Sequence, residues 1–423
     1  IDYFVTSGIS VKEKTVPNYK IYLNKINQIN KSKLFKKKKI SQIRFLKKRM
    51  KHEDNVINKR TKNILKKLSS KYKNLLIYDH HLSHAASACF SSGFKKCYCL
   101  TIDGWGDNSS AKIVKFEKGV LHEISSTPTI DSLGYFYGSI TKLLGFKPHQ
   151  HEGKVLGLAA YGRKTRVIKY IYEMISYDSN TKKFIGNYHK GYYQSTFDNQ
   201  NLKFLMKKFS REQIAFSAQI SLEKTVLKCV KSLSKKKINL VLAGGVFANV
   251  KLNQKIGELK NIRQLYVFPN MGDGGLCVGG AQLAYFKKTR RVPNKIDSMY
   301  LGNNFLEEQI KKEIKKFNLN FKKPKNIEKE IANFLAQKKV VAHFSKNMEF
   351  GPRALGNRSI LCSAEDASIN DTLNKRLKRT EFMPFAPILR KKDAPRYLKI
   401  SNKVDYKFMT FTLNCKQLML KHA

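Results

Sequence analysis

A chain of 423 residues, 42% of them hydrophobic, can bury sizeable cores; it points to two or three domains and excludes a disordered basic tail. The formal net charge of +51 invites a phosphate-rich partner, yet the lysine surplus runs through the whole sequence, from KLFKKKKISQIRFLKKRMKH (Lys33–His52) to SLSKKKIN and EEQIKKEIKK. That spread gives a positive field without marking a groove, so no dedicated nucleic-acid partner is expected.

No apolar run approaches the roughly 18 residues a membrane span needs. The seven cysteines are odd in number and scattered, which suits a reduced, cytoplasmic protein. IDYFVTSGIS lacks both a starting Met and the order of a signal peptide; it reads as the middle of a protein. The first 70 or so residues predict lysine-rich helices with Leu, Ile and Phe at helical spacing. NLLIYDHH predicts a short strand, HLSHAASACF a helix, and KKCYCLTIDGWGD a strand ending at Asp103. SSAKIVKFEKGVLHEIS predicts two strands around a Lys118-Gly119 turn, and SLGYFYGSITKLLGF a helix. The aperiodic stretch 165–210 reads as a cap or insertion. EQIAFSAQISLEKTVLKCVKSL predicts a long helix, and INLVLAGGVFAN and LYVFPNMGDGGLCVGGAQLAYF each predict strand, glycine loop and helix. The alternation is that of an α/β protein with ligands at the carboxyl ends of its strands. IANFLAQKKVVAHF predicts helix then strand in a second domain, which also holds EFGPRALGNRSIL and a helix over Ser368–Arg376.

Three segments carry chemistry. In DHHLSHAASACF, His80 and His84 stand four apart, so one helical face can present both imidazoles to one cation. The intervening residues lack the glutamate of HExxH, which argues against a zinc protease, and His81 points elsewhere. Asp103 in LTIDGWGD and Asp273 in NMGDGG stand at strand ends, and two imidazoles with two carboxylates suit iron, manganese or zinc better than magnesium. In LAGGVFANVKLN, Gly244 and Gly245 can offer backbone N–H groups to a phosphate, and Asn249 and Asn253, again four apart, can face the same cleft. In EFGPRALGNRSI, Arg353, Asn357 and Arg358 can hold phosphate or carboxylate oxygens or form a structural arginine network.

Taken in order, DHHLSHAASA, LTIDGWGD, SLGYFYGSITKLLGFKPHQHEGKVLGLAAYG, LVLAGGVFANVKLN, PNMGDGGLCVGGA and FGPRALGNRSIL resemble the O-carbamoyltransferases of the nodulation-factor and antibiotic-tailoring family, over about residues 75–400. The resemblance implies an actin- and sugar-kinase-like duplicated α/β core (1–310) that transfers the carbamoyl group. It implies a second α/β domain (311–423) of threonylcarbamoyl-adenylate-synthase type that makes carbamoyl adenylate from carbamoyl phosphate and ATP. It also implies that both ends of the family pattern are missing here. The family metal site falls on His80, His84, Asp103 and Asp273, with iron(II) first and manganese or zinc as alternatives. ATP with Mg2+ and carbamoyl phosphate are the implied cosubstrates. His81 and Lys154 are the candidate catalytic groups, and Gly244, Gly245, Asn249, Asn253, Arg353, Asn357 and Arg358 the candidate nucleotide and phosphate contacts. A small-molecule or sugar hydroxyl is the expected acceptor, and a homodimer is an expected assembly. Lys346 and Asn347 stand where the family commonly has a Gly-Arg pair, and Met383 where Arg is usual. Two other readings remain: a tRNA threonylcarbamoyl-type transferase and a degenerate basic nucleic-acid-binding or scaffold protein.

Overall fold

The computed structural model describes residues 4–7, 19–55, 62–72, 74–197, 199–365, 368–378 and 385–420; Met383 lies outside them. The chain divides into units Ile1–Ile296 and Asp297–Ala423, against an expected boundary after residue 310. The segment following residue 296 belongs with the second unit because its backbone is tied there: Phe350 N donates to Met299 O at 2.7 Å and Gly302 N to Met348 O at 2.9 Å.

In the first unit, strand β1 (Phe4–Ser7) pairs in parallel with β2 (Leu75–Tyr78), and between them run helices α1 (Tyr19–Lys31), α2 (Lys36–Asn55) and α3 (Lys62–Lys71). The lysine-rich helices are not merely solvated. Tyr22, Ile29 and Leu46 are buried with Ile130, Tyr188 and Tyr193 in one apolar cluster. Inside it, Lys25 Nζ reaches Asp131 Oδ1 at 2.6 Å.

Helix α4 (His80–Ser92) follows β2 and ends at Gly93, whose φ of +75° is the usual left-handed stop. Strands β3 (Lys96–Gly106), β4 (Ser109–Glu117) and β5 (Val120–Pro128) form an antiparallel meander, after which come α5 (Leu133–Leu143), α6 (Glu152–Ala159) and α7 (Val167–Tyr172). The aperiodic stretch contains the hairpin β6 (Ile175–Asp178) and β7 (Lys183–Gly186) and the short helix α8 (Lys203–Met206). Helix α9 (Arg211–Leu233) starts at a capping box in which Ser210 Oγ and the Gln213 side chain satisfy one another's backbone N–H groups. Strand β8 (Ile238–Ala243), helix α10 (Val250–Gly257), strand β9 (Ile262–Val267) and helix α11 (Leu276–Thr289) complete the unit.

Five strands make one mixed sheet in the order β5-β4-β3-β8-β9, with β3, β8 and β9 parallel. Along β3, Cys99, Leu100, Thr101 and Ile102 are all buried, the continuous burial of a central strand covered on both faces. Because β3, β8 and β9 run the same way, their carboxyl ends open on one side, where the residues of interest gather.

In the second unit, α12 (Glu307–Lys316) and α13 (Ile327–Ala336) precede β10 (Val341–Phe344), which pairs antiparallel with β11 (Arg358–Leu361); α14 (Ile369–Arg376), α15 (Ala394–Tyr397) and α16 (Gln417–Leu420) follow. Among its described residues the buried apolar side chains are Met299, Leu373, Phe408 and Met419, a small core.

Candidate metal centre and its surroundings

Asp79 is the N-cap of α4 and accepts from Leu82 N at 2.8 Å, which starts the helix immediately before the histidines. The i, i+4 register then brings His80 Nε2 and His84 Nε2 to 3.1 Å of each other, with both residues buried. Asp103 near the end of β3 is held by two backbone donors, Gly104 N to Oδ1 at 2.6 Å and Gly245 N to Oδ2 at 3.2 Å. Asp273 opens the single turn Asp273–Gly275 ahead of α11, and its side chain is 73% exposed.

The four groups converge. Asp103 Oδ2 lies 3.1 Å from His84 Nε2 and 3.7 Å from His80 Nε2, and Asp273 Oδ1 lies 3.6 and 3.5 Å from the same two nitrogens. All four ligand atoms fall within 4.8 Å of one another. Ligands about 2.0–2.2 Å from one ion are separated by about 3.3–3.6 Å at tetrahedral edges and slightly less at octahedral ones. The five spacings that involve a histidine, 3.1–3.7 Å, match that frame, so these residues fit one divalent cation. The exposed Asp273 side is where further oxygen ligands have room.

Electrostatics agree. Burial pushes the Asp103 carboxyl up, but hydrogen bonds from His80 and His84 outweigh it and hold it well below the usual carboxylate range. Burial pulls His84 down, while hydrogen bonds to Asp103 and Asp273 lift it above an ordinary imidazole. A site that favours carboxylate and positive charge together is one a cation can occupy.

His81 is wholly buried on the same turn, its Nδ1 2.9 Å from Thr101 Oγ1 and its Nε2 3.2 Å from Ser109 O. The carbonyl requires a proton on Nε2, leaving Nδ1 to accept from the threonine. Both nitrogens of His81, expected to handle a proton, are engaged by the fold. Burial pushes its imidazole well below the ordinary value, so it stays neutral.

The glycine loop also differs from expectation. Gly244 has φ +98°, and a Cβ there would stand 2.3 Å from Ile102 O, so the loop presses onto β3. Its N–H donates to Met271 O at 2.6 Å, and that of Gly245 goes to Asp103. These amides orient the carboxylate rather than standing open for a phosphate. Asn249 caps α10, its Oδ1 accepting from Leu252 N at 2.9 Å, and its Nδ2 donates to Gln219 Oε1 at 2.8 Å. Asn253 is wholly buried, donating to Phe247 O at 2.7 Å; it fastens the turn instead of facing a cleft. Lys154 lies on α6 with Nζ 5.9 Å from the Phe146 ring centre.

In the second unit, the Arg358 guanidinium sits 3.6 Å over Phe344 and donates to the carbonyls of Ser345 and Lys346. Asn357 Nδ2 donates to Asn347 O at 2.8 Å. These two residues form the structural network that was the alternative reading, because the loop between β10 and β11 leaves carbonyls that need donors. Arg353 is half-buried, and that burial lowers its guanidinium below the usual range.

Several contributors escaped the sequence reading. Asp107 Oδ2 accepts from His80 N at 2.9 Å and so supports the first turn of α4. Glu349 Oε1 accepts from the N–H groups of Leu355, Asn357 and Arg358 at 2.7–3.1 Å and shapes the Gly-Pro-Arg loop. Asp79, directly before a helix, carried the one local signal, that of an N-cap.

Fold and site thus define an α/β protein with a paired-histidine, paired-aspartate centre at the carboxyl ends of its parallel strands. Residues 1–282 match the family model of the carbamoyltransferase N-terminus and residues 332–423 that of the carbamoyltransferase C-terminus. The chain belongs to the carbamoyltransferase family. It is 38% identical over 339 residues to an uncharacterized protein of Methanocaldococcus jannaschii, covering 75% of this chain and 62% of that one. It is similar to nodulation protein NolO of Bradyrhizobium diazoefficiens (29% identity, 80% of this chain, 63% of that one) and to nodulation protein NolNO of Sinorhizobium fredii (27%, 80% and 51%). The chain therefore spans between half and two thirds of the length of these relatives. Among the described residues no helix is long and apolar enough to cross a membrane.

Proposed function

We propose that the protein transfers a carbamoyl group to a hydroxyl of a small molecule or glycan, through carbamoyl adenylate made from carbamoyl phosphate and ATP. The observation that supports this reading is the convergence of His80, His84, Asp103 and Asp273 within 4.8 Å in a chain of this family. In the transfer step the acceptor oxygen bonds to the carbamoyl carbon, the bond from that carbon to the phosphate oxygen breaks, AMP leaves and the hydroxyl proton is released. A bound divalent cation, iron(II) by preference with manganese or zinc as alternatives, would hold and polarise the phosphate of the leaving AMP. Asp103, fixed by the N–H groups of Gly104 and Gly245, and the buried His84 give the rigid side of that centre. Asp273 faces the open side. Arg353 is our candidate for holding ATP phosphates and Lys154 for contacting nucleotide or acceptor. The seven free cysteines suit a reducing cytoplasm.

The test is pyrophosphate release by the full chain supplied with ATP, Mg2+, carbamoyl phosphate and iron(II), alongside metal content by elemental analysis. The double variant His80→Ala/His84→Ala should lose bound metal and carbamoyl transfer together. Equal metal occupancy in wild type and double variant would remove the centre from the reading.

A further inference from the structure

The ladder that fixes β3 stops short of its metal-facing aspartate. Against β4 the register runs Ile102 to Ala111 and then Gly106 to Ser109, so Asp103, Gly104 and Trp105 bulge opposite the single Ser110. On the other side, pairing with β8 ends at Thr101. A bulge re-aims a side chain, and here the sheet alone does not set where the carboxylate goes.

Helix α2 supplies a hold from outside the sheet. Its Lys47, Lys48 and Lys51 are exposed, whereas the Arg49 side chain is 11% exposed. The Arg49 guanidinium lies 5.0 Å over the Trp105 ring and 4.7 Å over that of Tyr135, in the first turn of α5. The His52 ring meets the same indole edge-on, with centroids 5.9 Å apart. Glu53, one turn on and buried, accepts from Arg49 Nε at 3.2 Å and from Thr129 Oγ1 at 2.6 Å, which fixes the guanidinium against the strand end. A planar cation suits stacking on an indole in a way an ammonium does not.

From Trp105 the connection runs to ligands on two separate elements. Behind it in the chain stands Asp103, on the same bulge, its carbonyl taking the Ser132 hydroxyl at 3.1 Å. Ahead of it, the indole Nε1 donates to Asp107 O, and Asp107 Oδ2 accepts from His80 N at 2.9 Å. Gly106 closes the bulge directly on the His80 ring, where an added Cβ would stand 2.1 Å from Cδ2. A displaced indole would therefore shift Asp103 Oδ2 against His80 and His84, from which it now stands 3.7 and 3.1 Å.

We infer that Arg49 is a positioning residue of the metal centre: its guanidinium, held by Glu53, pins Trp105 and so sets the bulge that carries Asp103. The inference rests on the reading of His80, His84, Asp103 and Asp273 as one metal centre. It makes α2 part of that centre's support.

The full chain, stripped of metal with EDTA and desalted, is titrated with Zn2+ against a chromogenic chelator. Arg49→Met and Trp105→Leu should each weaken Zn2+ binding about 10- to 100-fold, the usual effect of removing the support behind metal ligands. Trp105→Leu leaves the Arg49–Glu53 pair intact, so it carries the test if Arg49→Met folds poorly. The double variant should match the weaker single variant within about twofold, because both substitutions remove one contact. Ile29→Ala opens a cavity in the apolar cluster of α1 and α2; it should lower the melting temperature yet leave Zn2+ affinity unchanged. Trp105 is the single tryptophan of the chain, so its emission reads the contact directly. Acrylamide quenching of the metal-free chain should rise in Arg49→Met and stay as in wild type in Ile29→Ala. Wild-type Zn2+ affinity in Arg49→Met or Trp105→Leu overturns the inference, as do losses that add in the double variant, an equal loss in Ile29→Ala, or unchanged quenching in Arg49→Met. If wild type itself binds no Zn2+, the metal reading fails and takes the inference with it. If wild type binds and the variants bind as well, the inference fails alone.

Discussion

The crossing of α4 and α11 sets the metal centre, and Gly279 is the residue on which that crossing can be tested. A Cβ at Gly279 would stand 1.8 Å from Ser83 O, 2.7 Å from Ser83 C and 3.0 Å from Ser87 N. All three are backbone atoms, so no rotamer change can relieve the contact; in Gly279→Ala the helices must separate by about 1.5 Å to restore a van der Waals distance. Overpacking of this kind costs about 1–3 kcal/mol, enough to lower the melting temperature by several degrees. The centre suffers more than the fold does. His80 and His84 ride on α4, while Asp273 stands at the start of α11, now 3.5 and 3.6 Å from the two histidine nitrogens. Adding the separation takes both spacings to about 5 Å, beyond the roughly 4.2 Å that two ligands of one ion can span. Gly279→Ala should therefore bind metal at least tenfold more weakly, read by competition with a chromogenic chelator. Gly153→Ala is the control: it also lies in a helix, has nothing within 4 Å of the added Cβ, and should be neutral or slightly stabilising. Unchanged metal affinity and melting temperature in Gly279→Ala would show that the helices do not set the ligand geometry.

Lys25→Met leaves Asp131 buried without its cation and should cost about 3–5 kcal/mol at pH 7.5 in chemical denaturation. Burial raises the Asp131 carboxyl above its unfolded value even beside Lys25. Its protonated form therefore favours folding, and the penalty of Lys25→Met should shrink as pH falls towards 5; a pH-independent penalty would contradict this. Glu349→Ala removes the acceptor of three backbone N–H groups and should open the 351–357 loop to limited proteolysis, with a loss of about 2 kcal/mol. Backbone donors outweigh burial and hold Glu349 below the usual range, so its contribution is present above the unfolded carboxylate value and fades as pH drops through the lowered one.

The centre was legible because its logic is local: four residues of helical spacing place two imidazoles, and the end of β3 and the glycine turn before α11 place two carboxylates. The same spacing rule misled at Asn249 and Asn253. A turn precedes α10, and the second asparagine is drawn beneath it to satisfy Phe247 O. Arg358 read as a phosphate ligand, with a structural group as the alternative, since sequence does not say which carbonyls a loop leaves unmet.

The four ligands of the centre come from α4, β3 and the turn before α11, so His80 and Asp273, the ends of the set, are separated by about two thirds of the first unit. A bound ion would close a loop from His84 to Asp273, a cross-link of 189 residues (273 − 84) made without a covalent bond. Such a clasp ties the stability of the fold to the free metal concentration, rising by about 1.4 kcal/mol for each tenfold excess over the dissociation constant. In a cell short of metal the chain would then be lost first through unfolding and degradation, so that supply of the ion governs how much protein is present as well as how much of it is active.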